Sequence, residues 1–260
     1  MLVLALDTAT EACVAAVAEV DAAEVDVAEA DAASPASQVR VLAARAPVDA
    51  KRHGELLIPL VAAVLAEAGL RPADLDGVVV GLGPGPFTSL RVGIVTAASL
   101  ADALGRRAVG VCTLDAIAAA VPATSAVRDL VVATDARRRE VYWARYVDRV
   151  RVTGPEVSRP ADLAERLDEE GGGGAPVVGS GAALYPDLGR RALVGPGDAR
   201  SGGAEPVRFP DPAALVALGL PALLADAAPG PLAPLYLRRP DAVPPGAPKA
   251  ADQASRAGAR

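Results

Sequence analysis

The glycine-rich stretch at residues 81–93 holds the residue types best suited to chemistry in this sequence. It follows three valines typical of a buried strand, and the Thr88–Ser89 pair can cap a helix that comes after it. Three glycines, Gly81, Gly83 and Gly85, permit backbone angles and close approaches that a Cβ would block. The sequence therefore predicts a strand, a sharp loop and a helix whose free N-terminal amides favour an anion or a partner's acidic group.

Two interpretations of this loop stay open, a plain strand-to-helix connection and a phosphate-binding turn. It is not a Walker-type loop, because no Gly-Lys-Ser/Thr triplet occurs and the chain holds only two lysines, Lys51 and Lys249. The pattern argues against a P-loop nucleotide hydrolase.

The inventory of possible metal ligands is small. The chain has one histidine, His53, and two cysteines, Cys13 and Cys112, which lie far apart in apolar segments. A zinc centre normally takes three or four ligands from His, Cys and carboxylates, so we expect none here, although an all-carboxylate magnesium site stays open. No Gly-x-Ser-x-Gly turn accompanies the histidine. We expect His53 to start or pack a helix and both cysteines to be buried thiols.

Composition restricts the classes of partner. Hydrophobic residues make up 52% of the 260 residues but aromatic ones only 3%, so the core must be built from Ala, Val and Leu. A net charge of -6 argues against a surface that drives nucleic-acid binding by itself, so any RNA contact is local or shared. The basic run at residues 137–139 is interpreted as a solvated turn between strands. With no membrane-length apolar run and no basic N-terminal region, we expect a cytoplasmic protein.

Hydrophobic periodicity predicts the elements that position these residues. Strands are predicted at residues 1–7, 12–20, 38–46, 78–80, 108–112, 130–135, 140–147 and 176–179, and helices at 54–68, 89–104, 113–121, 161–169 and 212–227. The order indicates an α/β fold with mixed sheets and flanking helices. We predict an N-terminal lobe at residues 1–107, a C-terminal lobe at 108–239 and a disordered tail at 240–260.

Taken together, the motifs resemble those of the TsaB family, the non-catalytic subunits of the bacterial complex that makes threonylcarbamoyladenosine in tRNA. The resemblance rests on residues 4–13, 53–57, 81–93, 110–114, 135–143 and 234–238, and extends over nearly the whole chain. The glycine loop and the Asp-Ala-Arg string with Glu-Val-Tyr-Trp are its most specific parts.

The resemblance implies a two-lobed, actin-like ATPase fold of the ASKHA, ribonuclease H-like type. It also implies a heterodimer with the catalytic paralogue TsaD, joined by the ATPase TsaE, with tRNA contacted mainly through the complex and a homodimer possible when the chain is alone. The implied role is to support TsaD as it modifies the adenosine beside the anticodon in tRNAs that read codons beginning with A. No cofactor and no independent catalysis are expected.

The first turn, residues 7–10, lies where actin-like ATPases have their first phosphate-binding turn. Ala9 stands where that turn favours glycine, and its Cβ would crowd a phosphate. We therefore expect at most a vestigial nucleotide site made of Asp7, Thr8, Gly83 and Gly85, with the first two mainly bonding the turn. Residues 111–117 match the segment that carries the paralogue's metal-binding histidines, and they contain none.

Two other classes of function stay open as alternatives. One is an ATP-using kinase of the actin-like fold, and the other is a metalloprotease-like member of the same fold. Magnesium-dependent ATP turnover would indicate the kinase, whereas the missing histidine pair argues against the protease.

A partner surface is predicted on the two helices of the N-terminal lobe. Gly93, Ala97 and Ala101 recur every four residues and so share one helix face, which lets a neighbouring helix come close. With Leu57, Val61 and Val64 of the preceding helix, they are the expected contacts of the family's paired-helix interface. The alternative is that the small stripe packs on this protein's own sheet.

Overall fold

Two β-sheets organise the chain. The computed structural model describes residues 1–21, 39–122, 127–171, 174–189, 207–225 and 227–238. The predicted tail at residues 240–260 lies outside the described residues. The strands are β1 (Leu2–Asp7), β2 (Val14–Val20), β3 (Val39–Arg45), β4 (Gly77–Gly81), β5 (Arg107–Val111), β6 (Asp129–Asp135), β7 (Val141–Val147), β8 (Val150–Ser158) and β9 (Val177–Val178). The helices are α1 (His53–Glu67), α2 (Phe87–Leu104), α3 (Thr113–Ala119), α4 (Pro160–Glu169), α5 (Ser180–Leu184), α6 (Pro186–Gly189) and α7 (Pro212–Leu224).

The first sheet has the strand order β3-β2-β1-β4-β5. The first three strands form an antiparallel meander, and β4 and β5 then add in parallel, with Leu6 opposite Val80 and Val80 opposite Gly110. Strands β1 and β4 are buried on both faces, which explains their near-continuous apolar sequence. Because parallel strands need a crossover, α2 connects β4 to β5 and places the glycine loop at the carboxyl edge of the sheet.

Helices cover both faces of this first sheet. Side chains alternate along β1, so Leu4 and Leu6 pack under α1 and α2 while Val3 and Ala5 pack under α7. Helix α2 ends at Gly105, which has a φ of 62°. A hydrogen bond of 2.8 Å from the N–H of Arg106 to the carbonyl of Ala101 closes that end.

By length and composition alone, α2 is apolar enough to cross a membrane. The core helix of a water-soluble protein passes the same test, and here Leu90, Ile94 and Ala97 pack on the first sheet. The length and composition of α2 are therefore weak evidence that it crosses a membrane.

The second sheet has the order β8-β7-β6-β9. One face packs Trp143 and Val131 against Leu163 and Leu167 of α4. The other face, with Tyr146, packs against α3. Hereafter the first sheet with α1, α2 and α7 is called the first lobe, and the second sheet with α3 to α6 the second lobe.

The observed elements confirm a mixed α/β architecture with two sheets and flanking helices, but the lobe boundary differs from the prediction. The boundary predicted after residue 107 falls inside β5, which pairs with β4 in the first sheet. Helix α7, assigned to the C-terminal lobe, packs on the first sheet because its apolar residues cover Val79 and Val109. The lobe to which an element belongs therefore does not follow from its position along the chain.

The sequence pattern missed four elements: β8, α5, α6 and a short 3₁₀-helix at Pro72–Asp74. Strand β8 lies at the edge of its sheet and carries a Gly154-Pro155 pair, so it shows neither an apolar run nor regular alternation. Helices α5 and α6 have 5 and 4 residues, too short for helical periodicity to be visible.

Candidate functional site

A buried aspartate holds the turn that follows β1. Asp7 is fully buried. Its Oδ1 accepts a hydrogen bond from the N–H of Ala9 at 2.8 Å, and its Oδ2 accepts one from the hydroxyl of Thr113 at 2.6 Å. The same hydroxyl oxygen accepts the N–H of Gly83 at 3.2 Å. One carboxylate thus joins β1, the glycine loop and the first residue of α3.

Burial also changes the acidity of this group. Desolvation raises the pKa of Asp7 from 3.8 to about 6, and the hydrogen bonds from Thr113 and Ala9 oppose part of that rise. Both carboxylate oxygens already accept hydrogen bonds from groups of the same chain, so the carboxylate has a structural role.

Thr8 attaches the turn to α2. Its hydroxyl donates to the carbonyl of Ser89 at 2.6 Å and accepts the N–H of Gly93 at 3.1 Å. The carbonyl of Ser89 and the N–H of Gly93 are four residues apart, which is the spacing of a backbone hydrogen bond in an α-helix. The Thr8 hydroxyl bonds to both groups. A Cβ on Gly93 would lie only 2.5 Å from Thr8 Oγ1. Gly93 is therefore required by contact with the turn.

The loop glycines pack against the chain's own first turn. A Cβ on Gly81 would lie 1.8 Å from Oδ2 of Asp7, and one on Gly85 would lie 2.4 Å from the carbonyl oxygen of Ala9. Gly83 has a φ of 94°, which side chains rarely adopt. These close approaches pack Gly81 and Gly85 directly against the first turn.

The four residues predicted for a vestigial nucleotide site do come together. Asp7, Thr8, Gly83 and Gly85 lie at one end of the first sheet, but hydrogen bonds and packing within the chain occupy them. Nucleotide binding at this turn stays a prediction.

His53 starts α1, as expected. It is buried, and its Nε2 lies 3.0 Å from the carbonyl of Thr10, so Nε2 donates and ties α1 to the first turn. Cys13 is buried and Cys112 is partly exposed, and burial raises the pKa of each thiol to about 11. Across the described residues, no group of three His, Cys, Asp or Glu side chains is placed to hold a metal ion.

The six residues predicted to face a partner lie inside the single chain. Leu57, Val61 and Val64 of α1 and Gly93, Ala97 and Ala101 of α2 are all buried. Burial of the small stripe of α2 within the first lobe argues against these side chains as the partner contact, and that contact stays a prediction. The buried arc of α2 also includes Leu90 and Ile94, so it is wider than the sequence argument assumed.

The opposite faces of the same two helices are exposed and apolar. Ile58 of α1 is 55% exposed and Val95 of α2 is 60% exposed. The helices lie side by side, since a Cβ on Gly54 would lie 3.9 Å from Cγ2 of Val92. The exposed residues that follow the two large ones on these helices are mostly small: Ala62, Ala63, Ala66, Ala98, Ser99 and Ala103. We call this surface the paired-helix face.

A cleft between the lobes was not predicted from the sequence. It has a volume of about 350 Å³ and is lined by residues 85–87, 136–138 and 236–238 with Tyr142. Three arginines, Arg137, Arg138 and Arg238, belong to its walls. Two segments that line the cleft were visible in the sequence: the basic run at residues 137–139 and the Pro-Leu-Tyr-Leu-Arg string near the C-terminus. Neither segment indicated that it would meet the other.

The basic run forms an unusual turn. Arg137, Arg138 and Arg139 have φ values of 62°, 54° and 61°, a left-handed conformation that costs roughly 1–2 kcal/mol for each non-glycine residue. The turn is closed by a 2.9 Å hydrogen bond from the Ala136 N–H to the Glu140 carbonyl, and Arg137 pairs with Asp135 at 3.2 Å. The surrounding contacts therefore hold three arginines in a conformation that an isolated chain would seldom adopt.

A C-terminal strap, residues 231–238, crosses from one lobe to the other. The N–H of Leu235 donates to the carbonyl of Leu82 in the first lobe at 2.8 Å. Arg238 donates to the carbonyl of Ala136 in the second lobe at 3.0 Å and also pairs with Glu140. The strap therefore forms one wall of the cleft.

An aromatic pair stands at the mouth of the cleft. Phe87 and Tyr236 stack with ring centroids 5.0 Å apart, and they are 41% and 39% exposed. Arg91 lies over Phe87, with its Cζ 3.9 Å from the ring centroid, and donates from Nε to the phenol oxygen of Tyr236 at 2.8 Å. Exposed rings and a guanidinium thus adjoin the arginine turn.

Comparison with known proteins identifies relatives of this chain by sequence similarity. A family model described as TsaD, tRNA N6-adenosine threonylcarbamoyltransferase, matches residues 46–173. The tRNA threonylcarbamoyladenosine biosynthesis protein TsaB of Escherichia coli is 30% identical over 74% of this chain and 77% of its own length. An uncharacterized protein of Mycobacterium tuberculosis is 43% identical over 93% of this chain and 94% of its own length.

Solved structures agree with the fold. A Pseudomonas aeruginosa protein described as similar to the peptidase YeaZ superposes with a TM-score of 0.62 at 26% identity, covering 91% of this chain and 99% of its own. YeaZ from the same organism superposes with a TM-score of 0.58 at 25% identity, covering 84% and 91%. With the TsaD-type family model, these neighbours confirm the actin-like ATPase type of fold.

Proposed function

This chain belongs to the TsaB family, and from that premise we propose that it is the non-catalytic partner subunit of TsaD. Its relatives are named for tRNA threonylcarbamoyladenosine biosynthesis, and that is the process in which it takes part. Within that process, the chain binds and supports TsaD while TsaD modifies the adenosine beside the anticodon in tRNAs reading codons that begin with A.

The paired-helix face is the observation that carries this proposal. Ile58 and Val95 present large apolar side chains to water on two adjacent helices of the first lobe. Small residues lie beside them towards the C-terminal ends of both helices, where another pair of helices can approach closely, while the charged Glu55 and Arg91 lie one turn before them. A TsaD-type family model spans both helices, and a paralogue with the same helices would offer a matching surface.

The first turn supports a structural role for this subunit. The carboxylate of Asp7 and the hydroxyls of Thr8 and Thr113 all bond groups of the same chain. A catalytic group must keep at least one polar atom available to substrate, and these atoms are committed to folding.

We place the subunit in the cytoplasm, where tRNA is modified. TsaE joins the pair during the reaction cycle, and most tRNA contact is made by the whole complex. Without TsaD, the same face can pair two copies of this chain, because a surface that fits a paralogue's helices also fits its own.

The test uses one substitution on the face and one matched substitution away from it. Val95→Glu introduces a charge at the centre of the paired-helix face, and Val150→Glu introduces it on β8 at a residue with the same exposure, 60%. Val95→Glu should abolish co-purification with TsaD and leave the melting temperature unchanged, whereas Val150→Glu should retain pairing. Burying an unpaired carboxylate in an interface is strongly unfavourable, which gives the expected loss.

Activity supplies the second measurement. TsaD with TsaE should fail to form threonylcarbamoyladenosine in tRNA when this chain is omitted or replaced by Val95→Glu. Full modification without this chain would refute the partner-subunit role. Normal pairing by Val95→Glu would show that TsaD uses another surface.

A further inference from the structure

We propose that the cleft between the lobes binds an unpaired nucleotide of an RNA strand. Its base would lie on the Phe87 and Tyr236 rings, and its backbone phosphates would lie against the turn formed by Arg137 and Arg138. The inference deepens the proposed function and rests on it only for the identity of the RNA as tRNA.

The aromatic pair gives the cleft a surface for a base. Phe87 and Tyr236 are each about two-fifths exposed to water, although the chain has few aromatic residues. Arg91 holds the pair by lying 3.9 Å from the Phe87 centroid and bonding the Tyr236 phenol. Proteins bind unpaired bases by stacking them on aromatic rings and guanidinium planes, and every base has such a face.

The arginine turn gives the same cleft a surface for phosphates. Arg137 and Arg138 line it from the second lobe and Arg238 from the strap. Two nearby carboxylates are already paired, Asp135 with Arg137 and Glu140 with Arg238, and each guanidinium has five N–H donors. The three arginines of the cleft thus outnumber the two carboxylates paired with them, in a chain whose net charge is -6.

The geometry favours an RNA strand over a free nucleoside triphosphate. A triphosphate site needs a cradle of backbone amides and a magnesium site, but the glycines of the loop pack closely against the first turn. In the portions of the chain that the structure describes, no three acidic or histidine side chains are grouped for a metal. The basic groups are instead spread from Arg91 through the cleft to Arg139, which suits single phosphates spaced along a backbone.

The test measures binding of a short, fluorescently labelled single-stranded RNA to the full chain by fluorescence anisotropy at low salt. Arg138→Glu should weaken binding on the order of tenfold, and Arg128→Glu should leave it unchanged. Arg128 is a matched control because it is also exposed and sits just before β6, whereas Arg138 follows the far end of that strand. Affinity should also fall with salt, with a logarithmic slope of about -0.7 for each phosphate contacted.

Tyrosine variants separate stacking from support of the strap. Tyr236→Ala should reduce affinity on the order of tenfold, while Tyr236→Phe keeps the ring, loses only the hydrogen bond to Arg91 and should bind almost normally. Melting temperatures of both variants identify any loss that comes from unfolding. For Arg138→Glu, a change at an exposed residue, a normal melting temperature with weakened binding supports the site directly.

Three outcomes would overturn the proposal. Equal binding of single-stranded and duplex RNA, or equal weakening by Arg138→Glu and Arg128→Glu, would show general attraction of phosphates. Displacement of the RNA by ATP as effective as displacement by unlabelled RNA would show a mononucleotide site. A TsaD pull-down of the same variants distinguishes this proposal from the partner-subunit proposal. RNA binding can be lost while pairing with TsaD persists, and pairing can be lost while RNA binding persists.

Discussion

The hydroxyl of Thr113 donates a hydrogen bond of 2.6 Å to Oδ2 of Asp7, joining the first strand to the start of α3. The two residues are 106 positions apart and both are fully buried. A hydrogen bond to a buried charged group contributes roughly 1.5–3 kcal/mol. The contact therefore fixes the glycine loop between two elements that the chain supplies at very different points.

Stability should depend on the ionisation of Asp7. Its pKa in the folded chain is about 6 against an ordinary 3.8, so between these values the folded state holds a proton that the unfolded state has released. The free energy of unfolding contributed by this group therefore falls as pH rises from about 4 to about 6, by roughly 3 kcal/mol for a shift of this size. Above that range the contribution is constant.

Asp7→Asn tests this dependence, because the amide cannot ionise and can still bond Ala9 and Thr113. Urea unfolding of both proteins should show the variant gaining stability relative to the parent as pH rises from about 4 to 7. A constant difference between the two proteins over that range would mean that Asp7 does not titrate there.

Gly85→Ala should destabilise the chain. The added Cβ would meet the backbone of Ala9, with 2.4 Å to its carbonyl oxygen, and backbone cannot rotate away as a side chain can. We expect a loss of about 1–3 kcal/mol, typical of overpacking, measured by thermal unfolding. Gly174→Ala is the control because nothing lies within 4 Å of its Cβ position. Equal stability of the two variants would show that the loop has room for a side chain, and so for a ligand.

Ala97→Leu should lower the melting temperature. Ala97 has no exposed surface and lies where α2 meets the first sheet, so three added carbons have no space. Overpacking of this kind costs about 1–3 kcal/mol. Ala98→Leu, one residue further and exposed, should leave stability almost unchanged. If Ala97→Leu melts normally but loses TsaD, the buried stripe would after all be the partner surface.

Local sequence signals identified most elements of the first lobe. The valines before the glycine loop and the helical spacing in α1 each act within a few residues. Their effect on backbone conformation is therefore readable without knowing the rest of the chain. The motif strings likewise placed the chain in its family, since relatives share the same local strings.

Tertiary structure alone decided which face of α2 is buried. Apolar and small residues occur almost all round this helix, so periodicity could not separate the stripe with Ala97 from the face with Val95. Thr8 contacts α2 on its buried side, where its hydroxyl accepts the N–H of Gly93. Nothing in the local sequence of α2 records that contact.

The cleft is likewise a product of long-range packing. Arg137 belongs to a turn of the second sheet, Phe87 to the start of α2 and Tyr236 to the C-terminal strap, and they converge only because α7 returns the chain to the first lobe. The sequence by itself determined most of the strands and helices, the glycine loop and the family. Which distant side chains meet was decided by burial of apolar faces, which depends on the whole chain and not on any one segment.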